Sequence, residues 1–234
     1  MSAAGTPAEL GLMVTRRAAG EPLEQVVCWA EFCGLRISVA AGVFVPRRRT
    51  EFLVRQAVAL ARPGAVIVDL CCGAGAIGAA LAAGVERAEV HAADVDPAAV
   101  RCARQNLPAS RVYAGDLYEP LPAALRGRIQ VLTANVPYVP TGEIGYLPPE
   151  AREHEPPAAL DGGPDGLDVL RRVAAGSAGW LAPGGHLLIE TSERQAAVAR
   201  AAFAACGLAT RVADSADLGV AVVIGRRRAP GESS

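Results

Sequence analysis

The sequence predicts an α/β fold: one domain with a mostly parallel sheet covered by helices on both faces. Three observations carry that prediction. Short β-branched runs alternate with stretches that read as helices, the pattern of a parallel sheet with helical crossovers. A glycine-containing loop joins the first such run to an alanine-rich segment, which makes a strand, loop and helix unit. Of the 234 residues 51% are hydrophobic and 20% charged, so the chain can bury a full core.

The elements follow in order. Ala65–Asp69 (AVIVD) reads as the first strand of the sheet, LCCGAGAIG as its loop, and the helix after it runs through Ala83 and ends at Gly84. A second unit has its strand at Glu89–Ala93, the turn DVDP and a helix over Pro97–Leu107; Asp96 can cap that helix and Pro97 suits its first position. Strands are predicted at Arg111–Ala114, at Ile129–Ala134 and, after the turn APGG, at His186–Glu190. Leu167–Leu181 and Glu193–Cys206 read as helices and Gly219–Ile224 as a last strand.

Three segments stand outside this alternation. Residues 1–45 hold a short predicted helix (Ala8–Ala18) and a strand-like LRISVA, and are read as a small N-terminal appendage to a domain over 46–228. From Val136 to Gly166 there are seven prolines and no sustained period, which marks a lid, a binding loop or disorder. Residues 229–234 read as a disordered tail.

Composition narrows the function classes. A formal net charge of −1 gives no global electrostatic reason to expect nucleic acid or an anionic membrane as partner. Cys28, Cys33, Cys71, Cys72, Cys102 and Cys206 form no C-x-x-C pair, and no apolar leader is visible, which together favour a reducing, cytoplasmic setting. His91, His154 and His186 lie far apart and at no metal-ligand spacing, so no metal is expected.

The candidate chemistry begins at the first strand-to-helix turn. In open α/β sheets ligands sit beyond the carboxyl ends of the strands, where backbone must approach them closely. Gly73, Gly75 and Gly78 match G-x-G-x-x-G literally, and Asp94 ends the next strand as an acid for ribose hydroxyls. Asp69 separates two nucleotide readings. A carboxylate at the end of the first strand, against the cleft, would repel a pyrophosphate but could accept hydrogen bonds from a cationic amino group or loop N–H groups. S-adenosylmethionine therefore suits the order Asp69, glycine loop, Asp94 better than NAD does. Asp116, in GDLYEPL, is an acceptor for an adenine amino group or else a turn aspartate.

The segments VDLCCGAGAIGAAL, ADVDPAAV, GDLYEPL, NVPYVP, EPPAALDGGPDGLDVLRR and LAPGGHLLIETSERQ occur in the order found in HemK/PrmC-type protein-(glutamine-N5) methyltransferases. GEPLEQVVCWAEFCGL and FVPRRRTEFLV precede them in the same order, and the chain most resembles the shorter PrmC-related branch of high-GC bacteria. The resemblance implies a class I, Rossmann-like methyltransferase with a mostly parallel seven-stranded sheet, S-adenosylmethionine as cofactor, and a protein substrate with an exposed glutamine, a release factor being the candidate. It implies cofactor contacts from Asp69, Cys71, Cys72, Gly73, Ala74, Gly75, Asp94, Asp116, Leu117 and Asn135. Asn135, Val136, Pro137 and Tyr138 would form the catalytic N-P-P-Y-type loop: the Asn135 side-chain oxygen and the Val136 carbonyl accept the two amide N–H groups, and the Tyr138 ring packs on the planar acceptor.

Two residues depart from the family pattern. Val136 replaces a proline, and Cys71 stands where the loop has its first glycine. The N-terminal element is also short for docking a protein substrate. Methylation of a small molecule or a nucleobase amino group is the alternative reading, and a cofactor-binding module without turnover is a third.

Overall fold

The computed structural model describes residues 5–229 and 231; the tail read at 229–234 lies largely outside them. Helix α1 (Pro7–Ala18) opens with a capping box. The Thr6 hydroxyl accepts from Glu9 N, and the Glu9 carboxylate accepts from Thr6 N at 2.9 Å. A short α2 (Leu23–Val27) and an antiparallel hairpin of β1 (Trp29–Phe32) and β2 (Leu35–Ser38) follow. This hairpin is no loose appendage. Ala30, Phe32 and Ile37 join the main hydrophobic core, and Asn106 clips Ser38 at both backbone atoms, 2.9 Å each, while donating to Ala74 O at 2.8 Å.

Next comes α3 (Glu51–Leu60), a helix that the sequence reading left out. The basic run before it masks an apolar face, yet Leu53, Val54 and Ala57 lie on one side and are buried. The main sheet then begins with β3 (Val66–Leu70), α4 (Ala76–Gly84), β4 (Glu89–Asp94), α5 (Pro97–Asn106) and β5 (Val112–Ala114). As expected, Asp96 caps α5, accepting from Ala98 N at 2.7 Å, with Pro97 in the first turn. After β6 (Ile129–Ala134) the chain enters the proline-rich segment, where α6 (Pro149–His154) and short 3-10 turns replace the patternless loop. The remaining elements are α7 (Asp168–Ser177), β7 (Leu181–Thr191), α8 (Ala196–Ala205), β8 (Ala209–Ser215) and β9 (Val220–Arg226).

Seven strands pair in the order β5-β4-β3-β6-β7-β9-β8. The first four contacts in that order are parallel, and β9 runs antiparallel to both its neighbours. The connection between β8 and β9 is too short for a crossover, so the two form a hairpin and the last strand enters reversed. One face of the sheet packs on α3, α4 and α5, the other on α7 and α8, with Val131 and Leu188 facing one core and Leu132 and Leu187 the other. Helices on both faces and seven strands are as the sequence implied.

Two details differ. The strand-like character of β8 escaped the sequence reading, because ATRVADS is an edge strand with no fully buried residue. Strand β7 also starts at Leu181 and not after the turn at APGG. Residues 182–185 bulge between the Ile129–Leu181 and Val131–His186 pairs, so the preceding helix stops at Ser177.

Leu132 is fully buried on the central strand β6, where a smaller side chain leaves a void the sheet cannot close. Leu132→Ala is expected to cost about 2–5 kcal/mol of folding stability, read as a lower urea midpoint at unchanged slope.

Candidate active site

The order of the sheet reverses between β3 and β6, and a cleft of about 590 Å³ opens beyond their carboxyl ends. One end is formed by Cys71, Cys72, Gly73 and Ala74 from the loop after β3, with Asp94 from β4. Asn135, Val136, Pro137 and Tyr138 from the loop after β6 form another part of its wall. The sequence therefore placed both halves, and the fold brings them into one cavity.

Asp94 organises the loop end. Its Oδ2 accepts from Gly73 N at 2.8 Å and its Oδ1 from Asp96 N at 2.9 Å, so the carboxylate is fixed at the cleft wall with lone pairs to spare. Gly73 has φ +53, and a side chain added there would meet only open space, the space a ligand would occupy. Cys71 adopts φ +54, a left-handed conformation that favours glycine. Burial, reinforced by Asp94, Asp69 and Asp116, pushes its thiol well above the ordinary range, so it is neutral and no nucleophile. Of the three, Asp94 stands in the cleft wall, and its carboxylate suits a cationic sulfonium and amino group and opposes a pyrophosphate.

Four expected contacts sit elsewhere. Asp69 does not face the cleft: it is fully buried, accepting from Gly78 N at 3.1 Å and from the Thr133 hydroxyl at 3.0 Å, and it braces the start of α4 against β6. Burial raises its pKa to about 7. Gly75, at φ +78, is pressed on α5; a side chain there would meet Ala103 and Leu107, both at 3.1 Å. Asp116 and Leu117 stand just beyond β5, outside the cleft wall, and the Asp116 carboxylate is held by Arg172. An adenine amino group reaching Asp116 must compete with that pair.

At the acceptor end the buried Oδ1 of Asn135 has no hydrogen-bond partner among the described residues. Such an atom is costly unless a ligand donor meets it. The loop that carries it is fixed by backbone contacts with the glycine-rich stretch 161–166. Gly162 N donates to Val139 O at 2.9 Å and Val139 N to Leu160 O at 3.0 Å, while Gln195 Nε2 donates to both Tyr138 O and Asp165 O. A side chain at Gly162 would lie 2.6 Å from Pro137 O, closer than any such contact allows. Val136, 2% exposed, packs into the core with Ala134, Leu167 and Leu170, which accommodates the missing proline.

Several wall residues were not read as site residues from sequence. Phe32, Phe44, Pro46, Arg47, Arg49 and Thr50 line the cleft from the N-terminal side. Arg47 forms a two-pronged pair with the buried Glu155, 2.6 Å to each oxygen, and Val45 N donates to the same carboxylate at 3.1 Å. The segment 136–166 is thereby tied to the N-terminal element as a roof. Arg49 donates to the Tyr138 hydroxyl at 2.6 Å, and the Tyr138 pKa is pushed up to about 12, chiefly by burial. Tyr138 is therefore a neutral phenol and no base near neutral pH. The only sequence cue to these contacts was the quoted order of FVPRRRTE and EPPAAL.

Comparisons with known proteins agree with this geometry. A family model described as the methyltransferase small domain matches residues 35–143. A release factor glutamine methyltransferase from Geobacter sulfurreducens is 36% identical over 219 residues, covering 92% of this chain and 76% of that protein. The 4-amino-L-phenylalanine/4-methylamino-L-phenylalanine methyltransferase of Streptomyces pristinaespiralis is 39% identical, covering 83% of this chain and 69% of that one. Among solved structures, a T. thermophilus 16S rRNA N2 G1207 methyltransferase in complex with AdoMet and guanosine has the same fold, with TM-score 0.60 and 20% identity over 86% of this chain and 50% of that chain.

Asp94→Ala is expected to weaken binding of S-adenosylmethionine by about 1–3 kcal/mol through lost charge-assisted hydrogen bonds. Titration calorimetry reads this directly, and unchanged affinity would remove Asp94 from the site.

Proposed function

Since this chain belongs to the HemK/PrmC-type protein-(glutamine-N5) methyltransferase family, we propose that it methylates the side-chain amide of a protein glutamine, with a peptide chain release factor as substrate. S-adenosylmethionine is its cofactor, and Cys71 to Ala74 with Asp94 are the residues that would hold it. When bound, that cofactor supplies a methyl group activated by a sulfonium. The protein's task is at the other reactant. An amide nitrogen is a poor nucleophile, because its lone pair is delocalised into the carbonyl, so the site must place it.

The observation that carries this reading is the unpartnered, buried Oδ1 of Asn135 in the cleft wall. It accepts one N–H of the acceptor, and the Val136 carbonyl, one residue on, accepts the other. The nitrogen is then held between two fixed acceptors, with the Tyr138 ring packed against the planar group. Holding reactants in this way is worth up to about 7–11 kcal/mol in favourable cases.

Docking is assigned to the first 45 residues together with the 136–166 roof. None of the α1 side chains is buried, and Leu10, Leu12 and Val14 on it are more than half exposed, as is Leu23; Tyr146 on the roof is 88% exposed. Arg17 of α1 reaches Glu150 of α6 at 3.2 Å, and Glu150 lines the cleft, so α1 is tied to the roof. Nucleic acid is not the proposed partner of a chain with net charge −1. Six free thiols support a reducing, cytoplasmic setting.

A second reading, transfer to an aromatic amine on a small molecule, is supported by the 39% identity to the Streptomyces pristinaespiralis enzyme. An aniline nitrogen presents the same two N–H groups to Asn135 and Val136, and the aromatic ring suits Tyr138 equally well.

Intact-mass spectrometry of release factors from the same organism, and of 4-amino-L-phenylalanine, after incubation with enzyme and cofactor separates the two readings. One added methyl on the glutamine of the factor's Gly-Gly-Gln loop is the expected result; methylation of the amino acid alone would replace it with the second reading. Asn135→Ala should bind cofactor within a few-fold of the parent and transfer no methyl. Normal turnover by that variant would refute the role given to Asn135.

A further inference from the structure

We propose that Glu190 is a positioning residue of the acceptor site, acting through Arg49 and Tyr138; this rests on the methyl-transfer reading above. Glu190 lies at the carboxyl end of β7, and the Ala134–Ile189 pair places it beside Asn135 across the β6–β7 contact. It is 1% exposed, and neither carboxylate oxygen has a hydrogen-bond partner among the described residues. A buried carboxylate left so is costly, and the fold keeps one directly behind the acceptor loop.

Its surroundings show how it is used. Arg49 Nε stands 3.5 Å from Glu190 Oε1, and the same guanidinium donates through Nη2 to the Tyr138 hydroxyl oxygen at 2.6 Å. Because that oxygen accepts from Arg49, the phenolic proton remains available to a second acceptor. Burial raises the Glu190 pKa, while Thr50, Arg49 and Tyr138 pull it back. The Thr50 hydroxyl is itself buried and unpartnered. Arg49, Thr50 and Tyr138 all line the cleft. Glu190 thus stands behind the pair as a charged acceptor: Arg49 donates to the Tyr138 oxygen and faces the carboxylate through Nε, and Glu190 is free to accept from both Arg49 and the phenol.

Active-site hydrogen bonds commonly tighten when substrate enters. An acceptor seated on the Tyr138 ring expels the remaining water, and the charge of Glu190 then draws in Arg49 and the phenol. The Tyr138 plane is fixed relative to Asn135 Oδ1 as a result.

The test uses the full chain with Glu190→Gln, which keeps the shape and removes the charge. Cofactor affinity and melting temperature stay near those of the parent. The Arg49 Nε–H resonance, assigned by its loss in Arg49→Lys, exchanges with water faster in the variant. On whichever acceptor the parent methylates, kcat falls by about tenfold or more with a smaller change in KM, and Glu190→Gln added to Tyr138→Phe costs nothing further.

An Arg49 resonance equally protected in both proteins would overturn the proposal, as would turnover within about twofold of the parent or losses that multiply in the double variant. If the parent transfers to neither a release factor nor 4-amino-L-phenylalanine, both acceptor readings fall, and the Arg49 resonance still decides the role of Glu190.

Discussion

The acceptor site depends on one backbone-to-backbone contact. The loop 135–139 leaves β6 in an irregular path, with prolines that cannot donate, and has no strand partner of its own. It is held because the glycine-rich stretch 161–166 comes within hydrogen-bonding distance, forming an isolated bridge at Val139–Asp161, with Gln195 tying Tyr138 O to Asp165 O. Only glycine allows that approach at Gly162 and Gly166, where any side chain would collide with the Pro137 or Tyr138 carbonyl. The DGGPDG motif is therefore the mould in which the proposed acceptor loop is cast.

Electrostatics divide the cleft into two unlike ends. Around Cys71 the wall carboxylate is Asp94, since Asp69 is buried beneath the loop and Asp116 is paired with Arg172 outside the wall. At the acceptor end each arginine on the wall is matched: Arg47 by Glu155 and Arg49 by Glu190. One end thus attracts a cationic cofactor, and the other presents a neutralised surface on which an uncharged amide or aniline is not outcompeted by stray anions. Cys71 fits the first end because its thiol stays protonated and adds no further negative charge. Its left-handed backbone is the strain that substituting a glycine introduces.

Much of this was legible in the sequence, and the reason differs by element. Strand β3 is buried throughout and reads as a β-branched run, β4 and β6 are largely buried short apolar segments, and the α5 cap is a local signal needing only Asp96 and Pro97. Edge strand β8 has no buried position to create a pattern, and α3 was hidden behind three arginines, two of which, Arg47 and Arg49, have partners far along the chain. The site showed the same division. Asn135 and Asp94 could be placed because they end strands. Asp69 was read as the end of its strand, but β3 runs on to Leu70, so Asp69 sits inside the ladder and its side chain turns to Gly78 and Thr133. Glu190 and Glu155 were invisible as site residues because their partners are the arginines near residue 48, more than a hundred positions away.

The short N-terminal element changes meaning once its packing is known. As a separate docking unit it would be free to be shortened or lost without touching the chemistry. Instead Phe32 and Phe44 line the cleft itself, Gln25 Nε2 donates to Val43 O at 2.9 Å inside the same segment, and Arg47 carries the pair that holds the roof. The hairpin is also clipped by Asn106 to the glycine loop at the cofactor end. Removing this element would open the cleft wall and release the roof and the loop together, so cofactor binding and acceptor binding share one physical support. An acceptor that presses on the roof therefore acts on a surface already coupled to the cofactor loop, and the protein needs no distant domain to connect the two.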